Sequence, residues 1–396
     1  MHALTIDKGK TTGLSWVVLG TLDGAEAPLE SKTTIDNLGK VNFFAMPELA
    51  VDNTDGFMSW VTLPVGEPLT LGWGWSLFQD PLVYKLSGGN VNVVAGAGSP
   101  LTTTYQATAP GEGSALHVGI NDGSANPPVS TDPLLKFDAR SPKSLEITIQ
   151  PIGLIRGGGQ IIAPVMPSPQ VLQTELKNYL DSVFVPQVNV HITVKIRPQV
   201  DVAYDVGLEA RYRRQAGDGR FTVWQGSAQR GNLGKYSQEE ERILQQAAPD
   251  ASSAITFYWV GCAGMDTFAY EDDGTTLTGI PCAGWAGKAM TSFRNGRAEP
   301  HPRVIWMGAF AMPQTYVYFT AAHELGHALG DMGHTIDGYN ANGDQEAGGL
   351  RNGFDPSSDN CKRLMSGLGG LRRTQEPKQL NKRERDWIAA FEGYTQ

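Results

Sequence analysis

The chain has 396 residues, 40% of them hydrophobic, with a formal net charge of −9 and three cysteines. That length and apolar content are enough for two domains with real cores, and the acidic balance excludes a nucleic-acid binder, which needs basic groups to neutralise phosphates. No run of about eighteen apolar residues occurs, so nothing in the sequence reads as a membrane span, and so few cysteines cannot staple a disulfide scaffold.

Near the start, Lys8 and Lys10 precede the apolar stretch GLSWVVLGTL, and small residues follow at Ala25-Glu26-Ala27, a faint outline of a secretion signal. Gly13, Ser15 and Gly20 interrupt that run, so the reading adopted is a strand. Over residues 1–140 short apolar runs, at 16–19, 41–44, 57–63, 69–78, 82–86, 91–94, 103–108 and 115–120, are separated by Gly, Pro, Asn and Asp. Strands of that length at that spacing predict an all-β domain, a β-sandwich. The segment TTTYQATAPGEGSALHVGI is similar in composition to the closing hairpin of immunoglobulin-like modules in bacterial surface proteins. Trp60, Trp73 and Trp75 are expected to fill the sandwich core, the alternative being a platform on which sugars stack.

From Ser141 the texture changes to alternating strands and helices, which predicts a second, α/β or α+β domain over residues 142–396. Leu145, Ile147 and Ile149 alternate with polar residues in its first strand. A loop containing GGGQ and Pro164, Pro167 and Pro169 leads to a helix with Ser168 as N-cap and Pro169 as first residue. Leu172, Leu176, Tyr179, Leu180 and Val183 form its apolar stripe, and it should end by Pro186. A strand at 188–196, a surface hairpin or loop at 211–229, and a helix opened by a Ser237/Glu240 capping box and running through Ala248 follow. Two buried strands, 255–260 and 303–310, run into a helix at 313–329, and a last amphipathic helix at 380–391 starts at Asn381 and Glu384 and turns Trp387, Ile388 and Phe391 inward. Cys262 and Cys282 bracket a Gly-, Asp- and Thr-rich stretch; either they form a disulfide in an oxidising compartment, leaving Cys361 alone, or all three are buried thiols. Residues 337–344, DGYNANGD, have the composition of a calcium loop, but Gly338 stands where a first carboxylate belongs. A turn-rich loop is the better reading, and a Ca2+ ion has no support from the spacing.

The chemistry concentrates in residues 323–334, HELGHALGDMGH. His323 and His327, four apart on a helix, share a face about one turn (roughly 6 Å) apart, so both imidazoles reach one metal ion. Zinc prefers nitrogen donors in a tetrahedral set, and a catalytic zinc takes three protein ligands and leaves its fourth position to water. Glu324 beside that water supplies a base, so ligand, base and ligand fall within five residues. Gly330, without a Cβ, lets the helix stop and the chain swing back, and His334 follows as third-ligand candidate.

This motif, with Met365 in CKRLMSG, resembles the metzincin metallopeptidases, whose hallmark is HExxHxxGxxH and then a methionine turn below the metal. The family spacing puts the third histidine at 333, which is Gly333; a loop absorbs one added residue without loss of helical register, and His334 is kept as the ligand, with Asp331 and Asp337 as substitutes. The resemblance spans roughly residues 142–396 and implies a zincin-type catalytic domain with a twisted mixed sheet and an active-site helix. It also implies one catalytic zinc, with Met365 as an apolar floor rather than a ligand. In the family, an edge strand pairs with the substrate backbone; the matching stretch is 283–290, AGWAGKAM, in which Gly284, Trp285, Ala286 and Gly287 would border the cleft and the small residues would let a peptide approach closely. Some metzincins carry a tyrosine two residues after the methionine; Gly367 stands there, so three histidines and water are expected. Some are also held latent by a prosegment cysteine or aspartate, and no cysteine precedes Cys262, so only an acidic switch is available to residues 1–140.

These readings converge on a secreted or cell-surface zinc endopeptidase acting on protein or peptide substrates. Two rivals stand beside it. One is a zinc peptidase with Glu346 as a downstream third ligand; the other is a non-enzymatic adhesion protein whose zinc staples the fold, with Cys361 as the fourth ligand.

Overall fold

Alternating apolar and polar residues build the first part of the chain into strands. The computed structural model describes residues 3–6, 17–18, 59–74, 82–94, 102–120, 124–126, 129, 133, 135–155, 159, 161–164, 166–203, 222–225, 238–260, 262–265, 287–289, 304–308, 314–330, 332, 364–365, 380 and 382–395. Nine strands come first: β1 Ala3–Ile6, β2 Val17–Val18, β3 Ser59–Pro64, β4 Pro68–Gly74, β5 Leu82–Ser87, β6 Val91–Val93, β7 Thr102–Ala107, β8 Gly111–Ile120 and β9 Leu135–Arg140. They form an antiparallel sheet of order β2-β1-β4-β7-β6 and a second of order β3-β9-β8-β5, in which β3 and β9 run parallel. The sheets meet through Tyr105 and Phe137, whose ring centroids lie 5.2 Å apart, with Leu63, Leu116 and Ala139 buried around them. Gly88 has a left-handed φ of 91° and lies so near β8 that a Cβ would sit 2.0 Å from the carbonyl oxygen of Gly113, a place only glycine fills.

The expected run at 41–44 lies outside the described residues, as does Trp75, while Trp60 and Trp73 fall in β3 and β4. Strand β9 was hidden in the sequence because its inner residues include Asp138 and Arg140, which a burial pattern assigns to the surface; both are buried.

Two residues, Ser141 and Pro142, separate β9 from β10, Lys143–Ile155. This long strand pairs in parallel with β12 (Val190–Ile196) and β13 (Val200–Ala203) along one edge and with β15 (Ile255–Val260) along the other. Strand β11, Ile161–Ile162, lies within the stretch expected as loop and pairs antiparallel with the end of β10. β18 (Val304–Gly308) continues the parallel sheet beyond β15, and β17 (Gly287–Ala289) closes that edge antiparallel to it. Residues 222–225, expected in a surface hairpin or loop, form β14, which pairs in parallel with β16, Cys262–Met265. A partner so distant in sequence leaves no local signature.

Helix α1 runs through Pro169–Val171, a π-helical segment Leu172–Leu176 and Lys177–Val188. Ser168 caps it, its hydroxyl accepting from Val171 N. The helix does not end by Pro186. Asn189, in the left-handed region at φ 55°, closes it by donating N–H to Val185 O, so a proline in the last turn forfeits a single backbone bond. Helices α2 (Gln238–Gln246), α3 (Gln314–Gly330) and α4 (Lys382–Ala389) complete the fold. Leu145, Ile147 and Ile149 turn toward α1, α3 and α4; Ile152, Tyr258 and Trp306 turn the other way with Ile243 and Leu244 of α2. No helix among the described residues is long and apolar enough to cross a membrane.

The two parts of the chain are joined by buried polar groups. The Thr62 hydroxyl donates to Gln187 O at 2.8 Å and accepts from the Arg385 guanidinium at 3.3 Å. The Gln187 amide donates to Val183 O and accepts from Leu380 N, each at 2.7 Å. Arg140 pairs with Asp138 and with Asp386, and also donates to Arg385 O at 3.1 Å. Burial works against the charge of Arg140, but the two carboxylates outweigh it and hold its pKa above the ordinary value. Removing one member of a buried ion pair leaves its partner charged in low dielectric, so Arg140→Met should destabilise the protein by about 3–5 kcal/mol, read as a shift in the urea midpoint at constant slope; a change under about 1 kcal/mol would show the cluster to be as dispensable as a surface pair.

Candidate metal centre

Helix α3 is buried along nearly its whole length, with Val317, Ala321, Ala322, Leu325, Ala328 and Leu329 in the core. His323, Glu324 and His327 are buried with it, at 9%, 7% and 9% exposure. Polar side chains in such a place need partners. The Nδ1 of His323 lies 2.6 Å from Leu364 O, and the Nδ1 of His327 lies 2.6 Å from Met332 O. A carbonyl oxygen only accepts, so both Nδ1 atoms carry the proton, and in the neutral rings both Nε2 atoms carry lone pairs. Those two Nε2 atoms face each other at 3.1 Å, the rings nearly perpendicular at 88°.

Zinc–nitrogen bonds of 2.0–2.1 Å at a tetrahedral angle separate two ligand atoms by about 3.3 Å. The pair therefore fits two corners of a zinc coordination sphere, and two unprotonated lone pairs this close repel unless a cation lies between them. His334 and its substitutes Asp331 and Asp337 lie outside the described residues, as do Glu346, Cys361, Cys282, Gly367 and the 337–344 loop.

Met365 is wholly buried against α3: a Cβ on Gly326 would lie 2.5 Å from its Sδ. The spacing of HELGH gives Gly326 no role, yet a glycine inside a helix costs about 1 kcal/mol relative to alanine and so signals close packing. Gly330 ends α3 without a left-handed φ. Its missing Cβ instead leaves room for Met332, whose Cε and Sδ would lie 2.7 Å and 3.0 Å from it. The helix ends at Gly330, and what the position requires is space. Gly287 opens the edge strand β17, in register with Met307 of β18; Gly284, Trp285 and Ala286 lie outside the described residues.

Among the described residues the carboxylates of Glu112, Asp138 and Asp386 also come together, but Arg140 already pairs with Asp138 and Asp386. No family model matches the chain, and a search of curated proteins finds no match.

Filling the gap at Gly326 should show what it is for. Gly326→Ala gains helix propensity but must displace Met365, and overpacking of that kind costs about 1–3 kcal/mol; a lowered thermal midpoint is expected, whereas a raised one would mean that Met365 moves aside freely.

Proposed function

We propose that this protein is a zinc-dependent endopeptidase, with residues 142–396 a metzincin-like catalytic domain and residues 1–140 an all-β accessory domain. The observation that carries the reading is the pair of Nε2 atoms 3.1 Å apart, each ring held in the metal-binding tautomer by a backbone carbonyl. His334 is the proposed third ligand. A bound zinc supplies Lewis acidity and lowers the pKa of a water in its open position. Glu324, next to His323 and largely shielded from bulk water, accepts the proton of the attacking water and returns it to the leaving amine as the peptide C–N bond breaks. A structural zinc, closed by four protein ligands, has no use for such a carboxylate.

The sheet supports a peptide as the substrate. Among the described residues β17 lies at its edge, antiparallel to β18, and an extended peptide can pair with an edge strand through backbone groups alone. A protein or peptide substrate accords with this arrangement, and a secreted or cell-surface location is proposed with it.

Glu324→Gln should keep the metal and the fold and lose about 10²–10⁴-fold in kcat on casein; a variant as active as the parent, or a parent that binds zinc yet cleaves neither casein nor a broad peptide library, would refute the peptidase. Zinc content separates the third ligands: His334→Ala should lose the metal and Glu346→Ala retain it, and the reverse result would assign the site to the group with a downstream glutamate.

A further inference from the structure

The two imidazoles on α3 are held by the same device, used twice. Three residues after His323 comes Gly326, and three residues after His327 comes Gly330, so the four positions form one stripe along the helix. Each glycine receives a methionine side chain in the space a Cβ would fill: Met365 at Gly326 and Met332 at Gly330. Each methionine brings a backbone carbonyl to the adjacent histidine, Leu364 O to His323 Nδ1 and Met332 O to His327 Nδ1, both at 2.6 Å. Met332, Leu364 and Met365 all belong to the buried core around α3.

We propose that Met332 is the positioning residue for His327, its side chain locked into the notch at Gly330 so that its own carbonyl fixes the imidazole tautomer. Beyond Gly330 the helix no longer directs the backbone. In Gly330-Asp331-Met332-Gly333-His334 the one large apolar side chain is Met332, flanked by two glycines and an aspartate. Seating that side chain in the notch therefore orients the carbonyl, and the carbonyl accepts from Nδ1–H and so aims the Nε2 lone pair at His323. This inference rests on the zinc reading for its consequence, though not for its geometry.

The test uses the full chain, metal-free and titrated with Co2+ and Zn2+. Groups that orient metal-bound histidines are worth about 10–100-fold in metal affinity, so Met332→Ala, which keeps the carbonyl but empties the notch, should weaken both ions by that factor. Gly330→Ala, which fills the notch, should do the same. Because the two changes break one contact, the double variant should bind no more weakly than the worse single. In metal-free protein with 15N-labelled histidine, long-range 1H–15N correlations should show His327 as the Nδ1–H tautomer in the parent and as a mixture in the variants. Should Gly330→Ala fail to fold, Met332→Ala decides alone. Parent-like affinity together with an unchanged His327 tautomer in Met332→Ala overturns the proposal. A parent that binds neither ion removes the zinc reading instead, and the tautomer measurement then still decides the latch.

Discussion

Burial of α3 on all sides is the constraint from which the rest of the second domain follows. A helix apolar around its whole circumference belongs inside a protein, and one that also carries two imidazoles and a carboxylate must find them hydrogen-bond partners there. Carbonyls inside helices and strands already serve their own ladders, and they take a second donor only where a side chain lies along them, as Val183 O does from Gln187. The acceptors therefore come from non-repetitive backbone, at Met332 and Leu364, brought close by glycines that let a main chain and a methionine approach the helix. Satisfying the inner nitrogens leaves the outer ones facing each other, so the geometry that suits a metal arises from the need to leave no polar atom stranded.

What could be read in advance followed from local spacing. The four-residue interval between His323 and His327, the Ser168-Pro169 helix start and the alternation in Leu145, Ile147 and Ile149 are each decided within one turn or one strand, and the helices and strands lie where those signals put them. What could not be read depended on partners far away. Gly326 is informative only once Met365 lies against it, 39 residues on, and Met332 only once its carbonyl is seen beside His327. Pro186 misled because a stop signal in the last turn is weaker than the cap at Asn189 that follows it. β9 was hidden because its charged residues face a neighbouring domain rather than water.

The architecture also ties α3 to the first domain through few intermediaries. α4 packs against α3, and Lys143 at the start of β10 donates to Ala389 O at the end of α4 at 2.7 Å, a cation at the negative end of a helix. Ser144 and Thr395 exchange backbone hydrogen bonds at 2.8 and 3.0 Å beside it. α4 is thus held on one side by α3 and on the other by Thr62 and Arg140.

The two-residue link at Ser141 and Pro142 has a bearing on how firmly the two parts of the chain stay together. A cut at that link would leave the Thr62 hydroxyl on Gln187 O and Arg385, and the Arg140 guanidinium on Asp386, still spanning the seam. The leading β-structure is wedged in like a keystone, and pulling it out would strand buried polar groups on the face it leaves.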